Sequence, residues 1–153
     1  MTTVTDQNTA GVATPLERLA RVVEKNQIEL KWEAMLPHFG YNSPRSAVLR
    51  FDPVRGATTF LTLFPVGMHV PRHSHKKAEK TFVLAGVQTF EDASGSRFEI
   101  RDGGNFSVPA NSIHQTWAAA GTVTLSVLED GLRADWPDGP PTMSDIGKSA
   151  PAE

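Results

Sequence analysis

The chain has 153 residues, 39% of them hydrophobic and 21% charged, which is enough for one globular domain with tails. A formal net charge of -2 excludes the basic footprint of a nucleic-acid or anionic-membrane binder, and no apolar run approaches the roughly 18 residues a membrane helix needs. With no cysteine, disulfides, thiolate catalysis, Fe–S clusters and Cys-type zinc sites are all excluded, so any chemistry must come from His, carboxylates, hydroxyls or a metal.

In chain order, Met1 to Thr14 is polar, precedes the first basic residue Arg18, and does not read as a secretory signal. The expected location is cytoplasmic, and the first dozen residues read as a mobile arm. Thr14, Pro15 and Glu17 form a helix start with a Thr-x-x-Glu capping box. Leu16, Leu19, Ala20 and Val23 follow at helical spacing and predict an amphipathic helix over 15–25, whose apolar stripe must be buried in its own chain or a partner's. From Trp32 to Pro53 the residues suggest irregular structure with a short strand at Ser46–Phe51.

The stretches 58–65, 81–90, 97–100, 105–109 and 122–129 are short and rich in Val, Phe, Thr and Leu. Turn signals such as Asp52-Pro53, Arg55-Gly56 and Asp102-Gly103-Gly104 separate them. Closely spaced strands without helices between them predict an all-β sandwich or small barrel. The expected organisation is an arm and helix over 1–44, a β-barrel over 45–136, and a Pro-rich tail or surface wrap over 137–153.

One pattern carries chemistry. His73 and His75 are two apart, so on an extended segment their side chains leave the same face, and Glu79 can return to it after a short bend. A glycine turn at Gly103-Gly104 then leads through Pro109 and Asn111 to His114. Three imidazoles and a carboxylate suit a divalent first-row metal. His69 has the parity of His73, so alternation points it inward, and it is the only nameable candidate for a base. Arg72, Thr81 and Gln115 are the nearby polar groups able to orient a substrate. Phe60 and Trp117 are candidates for an apolar pocket wall.

The first stretch resembles the first motif of the cupin family, G-x5-H-x-H-x3-E-x6-G, with Gly67, His73, His75, Glu79 and Gly86 at every motif position. The second is similar to its second motif, G-x5-P-x-G-x2-H-x3-N, through Gly103, Pro109 and His114. Asn111 stands where glycine is usual and Ala118 where asparagine is usual. Asn tolerates positive φ better than other non-glycine residues, so the turn survives. The resemblance covers about residues 45–130. It implies a double-stranded β-helix (jelly-roll barrel), a divalent metal held by His73, His75, Glu79 and His114, and a homodimer.

Within that family the chain looks like the small single-domain cupins, among them the cupin half of a zinc-binding anti-sigma factor and the acetylacetone-type dioxygenases. No cysteine is available for the helical half of the former, and the latter use three histidines without the nearby carboxylate. Dimethylsulfoniopropionate lyases are small cupins with a tyrosine two residues beyond the ligand glutamate. That position is Thr81 here, and the sole tyrosine is Tyr41. The expected function is a metal-dependent enzyme acting on a small organic molecule. An Fe(II) dioxygenase cleaving a chelating enol, diketone or catechol-like substrate stands first. A non-redox lyase or isomerase using Mn, Ni or Zn stands second, and a non-catalytic binder or sensor third.

Overall fold

A computed structural model describes residues 30–152 and, ahead of them, Glu17. Glu17 is helical; the rest of the predicted 15–25 helix and the arm before it lie outside the described residues. In chain order the strands are β1 (Trp32–Ala34), β2 (Arg45–Phe51), β3 (Thr58–Leu63), β4 (Met68–His73), β5 (Glu79–Ala85), β6 (Val87–Glu91), β7 (Arg97–Arg101), β8 (Asn105–Val108), β9 (His114–Ala118) and β10 (Val123–Leu128). They form a six-stranded sheet in the order β1-β2-β3-β10-β5-β8 and a four-stranded sheet in the order β4-β9-β6-β7. The two antiparallel sheets make the jelly-roll barrel. No described helix is long and apolar enough to cross a membrane.

The predicted run 81–90 is two strands, broken at Gly86. Gly86 has φ +89°, and a Cβ there would stand 2.6 Å from Thr122 Oγ1 and 2.8 Å from Thr122 Cα. Thr122 Oγ1 sits this close because it donates to the Val87 carbonyl at 3.0 Å and accepts from the Val87 N–H at 3.2 Å. Only glycine lets the chain turn against that residue.

Register then decides what lies inside. Ser126 of β10 is opposite Phe60 of β3 and Thr81 of β5, and Thr124 is opposite Thr62 and Val83. These residues share the inward face, while Leu125 shares the outer face with Leu61 and Phe82. The usual alternation is thus inverted along most of β10: Thr124 and Ser126 point in, with Leu128 at the strand end, while Val123, Leu125 and Val127 point out. Apolar packing closes the interior in two places. Phe39, Phe64, Met68 and Ala118 form one cluster with Leu36, Val70 and Ile146 against it. Phe90, Phe106 and Val108 form the other with Ile100, the two phenyl rings stacked at 4.5 Å.

The C-terminal segment lies along the free edge of β4. Met68 bridges Ile146, the Gly147 N–H donates to the Gly67 carbonyl at 2.6 Å, and Thr142 and Asp145 make a reciprocal capping box around the 3-10 turn Met143–Asp145. Covering an edge this way blocks strand addition by another chain.

Gly86→Ala should destabilise the fold by roughly 2–4 kcal/mol, from the positive-φ penalty plus the overlap with Thr122. A denaturant titration against wild type checks this, and a midpoint within error of wild type would refute it.

Candidate metal centre

His73 closes β4 and pairs in register with His114, which opens β9. His75 follows two residues later, beyond an isolated bridge between Ser74 and Asp135, and Glu79 opens β5. The four side chains come from both sheets, and one ligand atom from each lies within 4.8 Å of the others. Asn111 holds the second half in place. Its φ is +63°, the only positive φ outside glycine among the described residues, and its N–H donates to the His75 carbonyl at 2.7 Å. The residue that departs from the motif therefore makes the same turn.

Backbone carbonyls set the tautomers. Nδ1 of His73 donates to Pro71 O at 2.7 Å, Nδ1 of His75 to Arg133 O at 2.7 Å, and Nδ1 of His114 to Ser112 O at 3.0 Å. A carbonyl only accepts, so Nδ1 carries the proton and the neutral ring keeps a lone pair on Nε2. Nε2 of His75 and Nε2 of His114 each lie 3.2 Å from Glu79 Oε2. Both Glu79 Oε2 and His114 Nε2 are buried without a hydrogen-bond partner. Lone pairs this close repel unless a cation lies between them. Ligands about 2.1 Å from one ion and 90–110° apart lie about 3.0–3.4 Å from each other, so the spacing fits a first-row metal. The Nδ1–carbonyl bonds are the outer support that such ligands usually carry.

Burial, reinforced by neighbouring His114, pushes His73 down to about 4, so this ring is neutral at ordinary pH. At His75 burial works in the same direction, but contact with Glu79 and the Arg133 carbonyl outweighs it and raises the pKa. Burial alone would lift the Glu79 carboxyl; contacts from His114 and His75 overcome it and hold Glu79 well below the usual carboxylate range. A hydroxyl chain fixes the other carboxylate oxygen. Thr81 Oγ1 donates to Glu79 Oε1 at 2.9 Å, so Ser126 Oγ must donate to Thr81 Oγ1 across their 2.8 Å contact.

The four residues line a cavity of about 150 Å³. Met35, Leu132, Ala134 and Trp136 also line it, with the Trp136 ring 4.7 Å from that of His73. Deeper residues are Phe60, Thr62, Gln88, Phe106, Thr116, Thr124 and Ser126. Phe60 and Thr81 therefore stand where the sequence places them, in the pocket. The other four pocket candidates do not.

A bulge explains His69. Val70 faces Thr116 while His73 faces His114, so three β4 residues span two on β9 and side-chain parity inverts between them. His69, opposite Trp117, is on the outer face. Its Nδ1 lies 2.9 Å from Asp145 Oδ1, and its Nε2 donates to Gln115 Oε1 at 2.8 Å, so neither nitrogen is free to act as a base. Gln115 is turned the same way and donates to Glu91 Oε1 at 2.7 Å. Trp117 stacks on His69 at 4.9 Å beneath the Arg97 guanidinium. Arg72 is exposed, pairs with Asp138 at 3.5 Å, and lines a separate open groove that His114 also borders rather than the cavity.

Sequence reasoning missed Gln88, Thr62, Thr116, Thr124, Ser126 and Trp136. Period-2 alternation on β3 and β10 separates two faces, but the usual apolar-inward assumption chooses the wrong one for a barrel whose inside is a polar cavity. Trp136 sits in irregular chain after β10 and has no pattern to reveal it.

The family model of the ChrR cupin-like domain matches residues 25–131. The chain belongs to this cupin family. An RmlC-like cupin from Shewanella frigidimarina superimposes with a TM-score of 0.58 at 15% identity, covering 69% of this chain and 87% of that one. A cupin-like protein from Thermotoga maritima gives 0.57 at 19% identity, covering 68% and 82%. A structure of the DMSP lyases RdDddP and RnDddQII gives 0.59 at 16% identity, covering 83% and 80%. These likenesses establish the cupin fold. Among curated proteins, none matches the chain. The sole tyrosine, Tyr41, is 89% exposed.

His73→Ala or His114→Ala should abolish stoichiometric metal binding while leaving the far-ultraviolet spectrum unchanged; full metal retention in both would refute the site. Thr81→Val should weaken metal affinity roughly ten- to hundredfold through loss of the Glu79 support. Affinity should also fall with pH. Ligands bind deprotonated, so protons compete first at His75, as pH falls through its raised value, and at His73 only near about 4. Chelator competition between pH 8 and pH 5 measures this, and a flat profile would contradict it.

Proposed function

We propose that this cupin is a metal-dependent enzyme acting on a small organic molecule, and specifically an Fe(II) dioxygenase that cleaves a chelating enol, diketone or catechol-like substrate. The observation that carries the reading is the lining of the cavity. Among the described residues that line it, none besides His73, His75, Glu79 and His114 titrates in the physiological range. Lyase and isomerase chemistry requires a separate base within reach of a substrate proton. A chelating enol or catechol carries an acidic O–H whose proton passes to solvent as the oxygen pair binds, so no further base residue is needed.

A bound divalent cation supplies Lewis acidity toward a chelating oxygen pair and, as iron(II), one-electron chemistry with O₂. The protein supplies the rest. The carbonyl-bound imidazoles present three oriented nitrogen donors, and Ser126 and Thr81 orient the Glu79 carboxylate through its Oε1. Met35, Leu132 and Trp136 add apolar surface to the lining, and Phe60 offers a flat wall to a planar substrate. At about 30 Å³ per water, the cavity holds about five waters or one compact ligand.

The test is anaerobic loading with Fe(II), followed by oxygen uptake against a panel of β-diketones, enols and catechols. Substrate-dependent uptake in wild type, reduced at least about 100-fold in His114→Ala, is expected. Turnover without oxygen uptake in the Zn, Ni or Mn form would replace this reading with a Lewis-acid lyase or isomerase. Binding without turnover would leave a sensor.

A further inference from the structure

The floor of the cavity holds a polar group that the metal-centre reading does not use. Gln88 is 5% exposed, lines the cavity, and its Oε1 is buried without a hydrogen-bond partner. It sits opposite Ala118, four residues along β9 from His114. On the other sheet, Thr124 and Thr62 face Val83, or each other, four residues along β5 from Glu79. Both walls therefore place this layer roughly 13 Å of strand below the metal-binding layer. Thr62 and Thr124 are buried as well and line the same cavity.

An orphaned buried acceptor is costly unless a ligand satisfies it. Its partner must bring a donor. Among the described residues no Lys, Arg, Asp or second Glu lines the cavity, so a charged group at the floor would meet no counter-ion from them. Building on the reading above, we propose that the substrate has two unlike ends. One is a chelating oxygen pair directed at His73, His75, Glu79 and His114, and the other is an uncharged hydroxyl or amide N–H accepted by Gln88 Oε1 between the Thr62 and Thr124 hydroxyls. The floor thus selects polar-ended chelators over their methyl-ended or acidic analogues.

Three rigid hydroxypyranones of similar size separate the possibilities. Kojic acid ends in CH₂OH, allomaltol in CH₃, and comenic acid in a carboxylate. Each is titrated into the cobalt(II)-loaded protein and followed by the visible spectrum of the metal, with cobalt content measured in parallel. Kojic acid should bind about tenfold more tightly than allomaltol, with comenic acid weakest. In Gln88→Met the kojic acid preference should shrink to about twofold or less at unchanged cobalt content. Should that variant fail to fold, Thr124→Val should reduce the preference in the same direction, and the wild-type ratio decides on its own. Equal affinities for kojic acid and allomaltol, with the cobalt spectrum shifted by both, would overturn the floor assignment and leave the metal reading standing. Tightest binding by comenic acid would overturn the uncharged end. A protein that takes up no cobalt, or whose cobalt spectrum no chelator moves, would sink both.

Discussion

The carbonyl oxygens of Pro71, Ser112 and Arg133 take the Nδ1 protons of three imidazoles, and the rest of the site follows from that. With those protons committed outward, the rings turn their lone pairs inward onto Glu79. The three carbonyls come from the bulged end of β4, the turn before β9 and the chain beyond β10. The metal-binding geometry is therefore a property of loop conformation as much as of ligand identity. Asn111 belongs to the same logic: its positive φ sets the turn that presents Ser112, and its N–H ties that turn to His75.

A metal centre at the mouth of a barrel needs room beneath it. The inward faces of β3, β5 and β10 supply it with Thr and Ser where a solid core would place aliphatic side chains. Those hydroxyls forgo apolar packing, and the compensation comes from the two aromatic and aliphatic plugs around Phe64 and Phe90 and from Leu61 and Val123 on the outer face, both fully buried. The chain Ser126–Thr81–Glu79 shows the same residues at work, passing hydrogen-bond direction from the cavity wall to a ligand carboxylate.

The ligand set was legible because each of its four members sits at a fixed offset from a glycine that the backbone requires. Gly86 is the clear case, since Thr122 leaves no space for a Cβ. The strands were legible from Val, Thr and Phe content and from their turns, although Gly86 divides one predicted strand in two. What could not be read was handedness of face. A single extra residue between Val70 and His73 sends His69 outward, and with it went the expected base. Gln115 and Trp117 alternate with His114 and Thr116 and belong to the same outer layer, where they bind His69 and Arg97 rather than substrate. Arg72 falls within the bulge and lines the separate groove. Long-range partners such as Arg133 for His75, 58 residues away, leave no trace in local sequence.

Trp136 has a consequence of another kind. The chain has three tryptophans, and they occupy unlike settings: Trp32 at the edge of the larger sheet, Trp117 sandwiched on the outer face, and Trp136 with its ring 4.7 Å from a ligand imidazole. An excited indole loses its energy readily to a paramagnetic ion or an absorbing chelate at such short range. The protein therefore carries an intrinsic optical reporter beside its metal centre, one whose emission registers the electronic state of whatever occupies the cavity without any label attached.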